Sequence, residues 1–478
     1  MRSFMSDDNP AATLLIALTV LVIVSCMPVG EWSGGRFKDF NLFEDVFEPT
    51  DKSAASSHAN VEIDPELQAI LAENQPDQEV TSAEELPVRT LDDSNVQPSV
   101  ETESQPMPAE QAPRVGDMTV IEDYTALGQG PARLRAALAQ SGSRTVRIAV
   151  IGDSYIEGDI FTQDLRSLMQ QRFGGRGTGY MAMHSDFPGF RRSVTQSSKG
   201  WKRHDMRHSQ SDPVKLLAGE YFVAEEGAIS TYKGTKRIEC AQAWSRSRLM
   251  YIAPDGGKVT LKNDGGIQEI ELAPSETVSL AELDGETSTF AVNNITPGVK
   301  CLGVWLDDAT GVSVDCMSLR GNSGVAARNL SVELASAMAQ FVDYDMIIVE
   351  YGMNALSDEQ TDYTSYGRVM DRVIARLREC YPDADILLAG VGDRGHKKGS
   401  DVVSMSTVGA MTRAQRDCAR RSKILFWDIR DAMGGENSIA EWQRNGLVNS
   451  DYIHLNHKGG KKLADSFYKS LIYALYGE

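Results

Sequence analysis

The sequence predicts an α/β protein built on a parallel sheet, interrupted by an all-β insertion and preceded by an apolar N-terminal segment. Three observations predict it. From Thr145 to the C-terminus, short apolar runs alternate with helix-length amphipathic runs, the pattern of a parallel sheet covered on both faces. Within that pattern, residues 195–311 carry only short alternating segments separated by turn signals. Ahead of both, Ala11–Val29 is apolar and free of charge.

Val146–Ile151 reads as a buried strand, followed by Gly152-Asp153-Ser154 and a helix over Ile160–Phe173. The pattern resumes with a strand at Val312–Leu319, a helix over Val325–Phe341 and a strand at Met346–Glu350. A helix over Glu359–Cys380, a strand at Ile386–Val391 and a helix over Thr407–Arg421 follow. A strand at Ile424–Trp427 and a helix over Lys458–Tyr476 complete it. In the insertion, Lys258–Lys262, Gln268–Leu272, Thr277–Leu280 and Thr287–Val292 are set apart by turns such as Asp255-Gly256-Gly257 and Thr296-Pro297-Gly298. That spacing predicts a β-sandwich.

The chain has 478 residues, 41% of them hydrophobic, enough for two or three domains with a sizeable core. Its net charge of −19 is uneven: residues 41–113 carry about −15 of it and residues 114–478 about −3. The acidity belongs to a spacer rather than to a catalytic surface, and it argues against a nucleic-acid partner. Residues 44–113 are rich in Asp, Glu, Pro, Ser and Gln, which predicts a flexible linker, with room for a short helix around Pro65–Glu73. Ala11–Val29 is long enough to span a bilayer. Ile23-Val24-Ser25-Cys26 also resembles a lipobox, the alternative in which a lipid is carried on Cys26. Either version tethers the chain outside the cytoplasm. The six cysteines form no CxxC or other metal-ligand spacing. A disulfide among Cys240, Cys301 and Cys316 is left open by the sequence. The resulting division is 1–43 anchor region, 44–113 linker, 114–194 first α/β part, 195–311 β insertion and 312–478 second α/β part.

Four elements carry candidate chemistry. Gly152-Asp153-Ser154 lies between a strand and a helix, a corner that sets a hydroxyl at the carboxyl edge of the sheet, where open α/β sheets bind ligands. Taken alone, it reads as readily as a helix cap. Asp451-Tyr452-Ile453-His454 precedes the last helix. A serine nucleophile needs an imidazole base, and the imidazole needs a carboxylate to fix its tautomer. His457, close by, fits a turn or a helix start. Tyr351-Gly352-Met353-Asn354 follows a strand, where the Asn amide could donate to an oxyanion or close an ordinary Asx turn. Gly321-Asn322-Ser323-Gly324 follows another strand, and its glycines serve either a turn or an oxyanion donor.

In this order and context the four elements resemble the SGNH (GDSL-like) hydrolase family, across about residues 143–478 apart from the β insertion. The resemblance implies a flavodoxin-like three-layer fold with Ser154 as nucleophile, His454 as general base and Asp451 as its orienting carboxylate. It implies an oxyanion hole of the Ser154 N–H, the Gly324 N–H and the Asn354 side chain, with Gly321 an alternative to Gly324. Ala355 stands where the family usually has Asp after the block-three Asn. Phe426-Trp427-Asp428-Ile429, Ala432-Met433-Gly434-Gly435 and Trp442 add a narrower resemblance, to bacterial enzymes that add or remove O-acetyl groups on peptidoglycan. Some of those carry a similar β insertion resembling a carbohydrate-binding module.

The implied function is a serine O-acetylesterase acting on a cell-wall polysaccharide, held in the bacterial envelope by an inner-membrane anchor and facing the periplasm. An O-acetyltransferase using the same triad and a non-catalytic glycan-binding protein are the alternatives. No metal or organic cofactor is implied. In the insertion, Trp201, Tyr221, Phe222, Tyr232, Trp244 and Tyr251 are candidates for holding a glycan, or for filling the core of the insertion.

Overall fold

The structure, a computed structural model, describes residue 67 and residues 111–208, 211–399 and 401–478. Leu67 is helical, in keeping with the short helix expected there. Ala11–Val29, Cys26 and the rest of the spacer up to residue 110 lie outside the described residues. Among the described residues no helix is long and apolar enough to cross a membrane.

The chain enters through a two-strand hairpin, β1 (Arg114–Val115) and β2 (Met118–Thr119), then β3 (Glu122–Asp123) and helix α1 (Ala132–Leu138). Strand β4 (Thr145–Gly152) and helix α2 (Thr162–Phe173) begin the α/β layer. A β-domain follows: β5 (Gly177–Met181), β6 (Val194–Asp205), β7 (Glu220–Gly234), β8 (Trp244–Ala253) and β9 (Gly257–Asn263). It continues through β10 (Gly266–Leu272), β11 (Ser275–Thr287), β12 (Thr289–Asn293) and β13 (Lys300–Asp307). The α/β layer resumes with β14 (Gly311–Ser318), α3 (Val332–Ala339), β15 (Met346–Glu350), α4 (Thr364–Cys380) and β16 (Asp385–Ala389). A hairpin of β17 (Gly395–Lys398) and β18 (Asp401–Ser404) leads to α5 (Val408–Ser422) and β19 (Leu425–Trp427). Short helices α6 (Ile429–Met433) and α7 (Ser438–Arg444) and the long α8 (His457–Tyr476) close the chain.

The six-stranded sheet of this layer runs in the order β14-β4-β15-β16-β19-β3. Its first five strands are parallel, the flavodoxin-like order expected; β3 pairs antiparallel with β19 at the edge, so the sheet is mixed. The antiparallel edge is held by charge. Arg416 on α5 bonds Glu122 of β3 at 3.0 Å and Asp428 at 2.7 Å, all three buried. Right-handed crossovers place α2 on one face and α3, α4 and α5 on the other, because the chain steps outward from β4 to β14 and then back across β4 to β15. Gly152 pairs with Ser318 on one side and Glu350 on the other. Three strand ends therefore meet at the switch point, where open α/β sheets form clefts.

The expected helix over Val325–Phe341 divides. Residues 325–329 form a tight 3-10 turn, Leu330 is extended, and α3 starts anew where the Ser331 side chain accepts the Leu334 N–H at 3.2 Å. The helix expected from Glu359 begins at Thr364, whose N–H is bonded instead to the Asp362 side chain at 2.8 Å.

The β insertion differs from the expectation in two ways. It starts at β5, before residue 195, because β5 pairs antiparallel with β13 at its far end. It is also one branched nine-stranded sheet rather than two separate sheets. Strand β13 makes the branch, pairing with β8 along one edge and with β7 and then β5 along the other. The sheet folds over its own core, in which Phe222, Tyr232, Leu249, Val259, Phe290 and Val304 meet. Cys240, Cys301, Cys316, Cys380 and Cys418 are free thiols.

Candidate active site

Gly152 ends β4 beneath the β15 terminus. A Cβ there would lie 2.6 Å from the Glu350 carbonyl oxygen, so only glycine permits the approach. The chain then turns, with the Glu157 N–H on the Ser154 carbonyl at 3.3 Å, and leaves Ser154 at the carboxyl edge. Ser154 Oγ lies 2.9 Å from His454 Nε2, and His454 Nδ1 lies 2.8 Å from Asp451 Oδ2. The tautomer follows: Nδ1–H donates to Asp451 and Nε2 accepts the serine proton.

Asp451 does more than touch the ring. Its Oδ1 accepts the N–H groups of Ile453 at 2.9 Å and His454 at 3.0 Å, which folds the loop around the carboxylate. Burial pushes its pKa up, but the His454 side chain and these N–H groups outweigh burial and lower it to about 2. It is therefore ionised at neutral pH, as an imidazolium partner must be. Tyr452 takes a positive φ of 59° to close this loop. Asn456 caps α8, its Oδ1 accepting from Lys458 at 2.9 Å and Gly459 at 3.1 Å. His457 is the first residue of α8 and meets Gln163 of α2 at 3.2 Å, the supporting place expected of it.

Asn354 reaches the same edge. Its Nδ2 donates to Asp153 Oδ2 at 2.8 Å and to the Asn322 carbonyl at 3.2 Å. Gly324 has φ 83° and a Cβ there would be 2.6 Å from the Tyr351 ring, so the position requires glycine. The Gly324 N–H donates to Asn322 Oδ1 at 3.0 Å. Gly321 also has a positive φ, of 75°. The Gly321–Gly324 and Tyr351–Asn354 loops are thus tied together through Asn322, and the donors of Gly324 and Asn354 rest on protein acceptors. Their donation to a substrate oxyanion is a proposal, taken up below.

Several residues to which the sequence assigned no role support the site. Gln415 on α5 bridges two strand ends, donating to the Tyr351 carbonyl at 2.6 Å and accepting the Val391 N–H at 2.9 Å. Met433, from the Ala-Met-Gly-Gly motif, lies under the Tyr155 hydroxyl at 3.5 Å, and its carbonyl takes the Trp442 indole N–H at 2.7 Å. Beside Ser154, Asp153 and Glu350 are both fully buried carboxyls whose pKa values burial raises. Neither Glu350 oxygen has a side-chain partner among the described residues, and the side chain borders an apolar cavity lined by Val150, Phe161 and Trp427. Among the described residues no cluster could hold a metal ion.

The model of the GDSL-like lipase/acylhydrolase family matches residues 295–462. No curated protein matches the sequence. A solved peptidoglycan O-acetylesterase superposes with a TM-score of 0.62 at 22% identity, over 75% of this chain and 99% of its own. An active-site mutant of a family two carbohydrate esterase from Clostridium thermocellum gives a TM-score of 0.25 at 13% identity, over 57% of this chain and 96% of its own. A Corynascus carbohydrate esterase with a carbohydrate-binding domain gives 0.28 at 13% identity, over 59% of this chain and 99% of its own. Only the first is close enough to bear on the fold.

Proposed function

Because the chain belongs to the SGNH (GDSL-like) hydrolase family, we propose that it is a serine esterase that removes O-acetyl groups from an envelope polysaccharide, peptidoglycan foremost. The observation that carries the reading is the Ser154–His454–Asp451 chain of hydrogen bonds, at 2.9 and 2.8 Å, at the switch point of the sheet. The likeness in fold to a peptidoglycan O-acetylesterase, which runs over nearly all of that chain, favours the polymer. The apolar run Ala11–Val29 and the acidic spacer behind it favour an enzyme tethered in the envelope and reaching outward.

Ser154 Oγ attacks the acetyl carbonyl carbon while His454 Nε2 takes its proton. Asp451 stabilises the imidazolium that forms. The carbonyl oxygen becomes an oxyanion, met by the Ser154 N–H with the Asn354 amide and the Gly324 N–H turned toward it. Collapse breaks the bond to the sugar oxygen, which leaves with the proton from His454. Water then attacks the acetyl-serine, giving its proton to His454, and acetate departs as Ser154 Oγ is reprotonated.

The test is acetate release from O-acetylated peptidoglycan by wild type and Ser154→Ala, with sugar acetylation from p-nitrophenyl acetate followed in the same mixtures. Release by wild type alone supports hydrolysis. Acetylated sugar in place of acetate redirects the reading to transfer. Equal release by both proteins rules Ser154 out.

A further inference from the structure

Arg394 stands between the two loops that carry catalytic side chains. On one side its Nη1 donates to the carbonyl of Met353, the neighbour of Asn354, at 3.1 Å. On the other, the Gly395 N–H donates to the Tyr452 carbonyl, inside the Asp451–His454 loop, at 2.9 Å. The residue is partly exposed, and Asp451 and Asp153 are among the charges that act on it.

The guanidinium nevertheless has no carboxylate partner among the described residues. Its Nε is buried without a hydrogen-bond partner, and its one hydrogen bond to a described residue is that to Met353. The chain treats its other buried arginines differently. Arg147 meets Asp307 at 2.5 Å, Arg166 meets Asp159 at 2.7 Å and Arg416 meets Asp428 at 2.7 Å. Asp358, the nearby carboxylate, faces His396 at 3.8 Å. Partial burial of an unpaired cation is unfavourable and lowers the Arg394 pKa. A group outside the chain that restores the counter-charge is the chemical complement of such a site. Nη2 is left without a partner among the described residues, and with the second N–H of Nη1 it makes the end-on fork that takes a carboxylate side by side.

We propose that Arg394 binds a carboxylate carried by the polymer near its acetylated hydroxyl, and so selects anionic acetylated glycans over neutral ones. The proposal rests on the esterase reading above and makes Arg394 a specificity-determining residue.

Binding is measured with full-length Ser154→Ala protein, which removes the nucleophile and leaves the cleft. The probes are soluble O-acetylated peptidoglycan fragments and the same fragments with their carboxyls amidated. Amidation weakens binding about ten-fold or more, and adding Arg394→Gln abolishes that difference. Arg394→Lys, which keeps the charge but not the fork, retains only part of it. A thermal melt of each variant checks that it is folded. Equal affinity for the two probes, no binding of either, or a preference that survives Arg394→Gln overturns the proposal. Wild-type acetate release from the amidated fragments is followed in parallel. If release persists without any charge preference, the esterase reading stands and only Arg394 loses its role. If neither fragment is hydrolysed, the esterase reading itself fails.

Discussion

Trp305 of the β-domain donates its indole N–H to Asp315 of the catalytic sheet at 2.9 Å. Asp315 also accepts from the Tyr344 hydroxyl at 2.9 Å and the Tyr180 N–H at 3.1 Å. Beside it, Asp307 of the β-domain bonds Arg147 of β4 at 2.5 Å and Arg248 of β8 at 3.1 Å. These groups are buried, so the insertion is docked on the sheet by a polar network and cannot swing freely. Trp305→Phe keeps most of the ring volume and removes the donor. It is expected to cost about 1–3 kcal/mol, read from urea unfolding as one shifted transition. Two separated transitions in the wild type would show that the parts unfold independently.

Asn354 gives the second prediction. If its amide turns from Asp153 to the oxyanion during reaction, Asn354→Ala lowers kcat by about 10²–10³-fold with little change in KM. The same variant strips Asp153 Oδ2 of its 2.8 Å partner, so a loss of stability accompanies it. A kcat within about three-fold of wild type would assign Asn354 to holding the loop alone.

The sheet and the triad were legible because both depend on local signals. Unbroken apolar runs such as Val146–Ile151 mark strands buried on both faces; Ser154 follows that run directly, and Asp451 and His454 stand just before the last amphipathic helix. What escaped depends on long-range pairing. Strand β5 has the glycines Gly177 and Gly179, with φ of 96° and 67°, and reads as a loop until β13 is placed beside it. The two-residue β3 at the sheet edge is held by Arg416, almost 300 positions away in sequence. Gln415 and Asn322 are unremarkable polar residues until the fold brings them against catalytic loops. The branch in the β-domain arises where β13 changes partner between Cys301 and Val304, and no residue pattern marks that exchange.

Two buried carboxyls predict opposite pH dependences. Glu350 has its pKa raised by burial and then by Asp153. Folding therefore favours its protonated form. The stability this gives is complete below the unfolded value of about 4.3 and is lost as pH rises toward the folded pKa. Glu350→Gln, which stays neutral, gains on the wild type as pH rises from about 4.3. Asp307 also feels burial, but Arg147, Arg248 and Arg246 outweigh it and lower its pKa. Its contribution is complete above about 3.9 and is lost as pH falls through the folded value. Asp307→Asn is thus most destabilised relative to wild type at neutral pH, and the gap narrows in acid. Melting temperatures across pH 3–8 for the three proteins check both signs, and parallel curves would refute the assignment.

The aromatics of the insertion give the last prediction. Five of the six candidates for holding a glycan fill cores instead. Phe222, Tyr232 and Trp244 are fully buried, and Tyr221 and Tyr251 are 4% and 5% exposed. The Trp244 indole N–H is spent on Ser247 at 2.8 Å. Only Trp201 is partly exposed, and it leans on the same core. A ring buried this way cannot stack on a sugar without opening the sheet. Its removal acts through a cavity, and Phe222→Ala or Trp244→Ala is expected to cost about 3–5 kcal/mol. Such a loss lowers the folded fraction, so turnover of polymer and of p-nitrophenyl acetate falls by the same factor. Binding energy from a glycan site would instead be lost on polymer alone. The ratio of kcat/KM on the two substrates is therefore the decisive quantity, and it stays constant in these variants. A fall in that ratio for Phe222→Ala, at a temperature where the variant is folded by circular dichroism, would return the ring to the substrate-binding face.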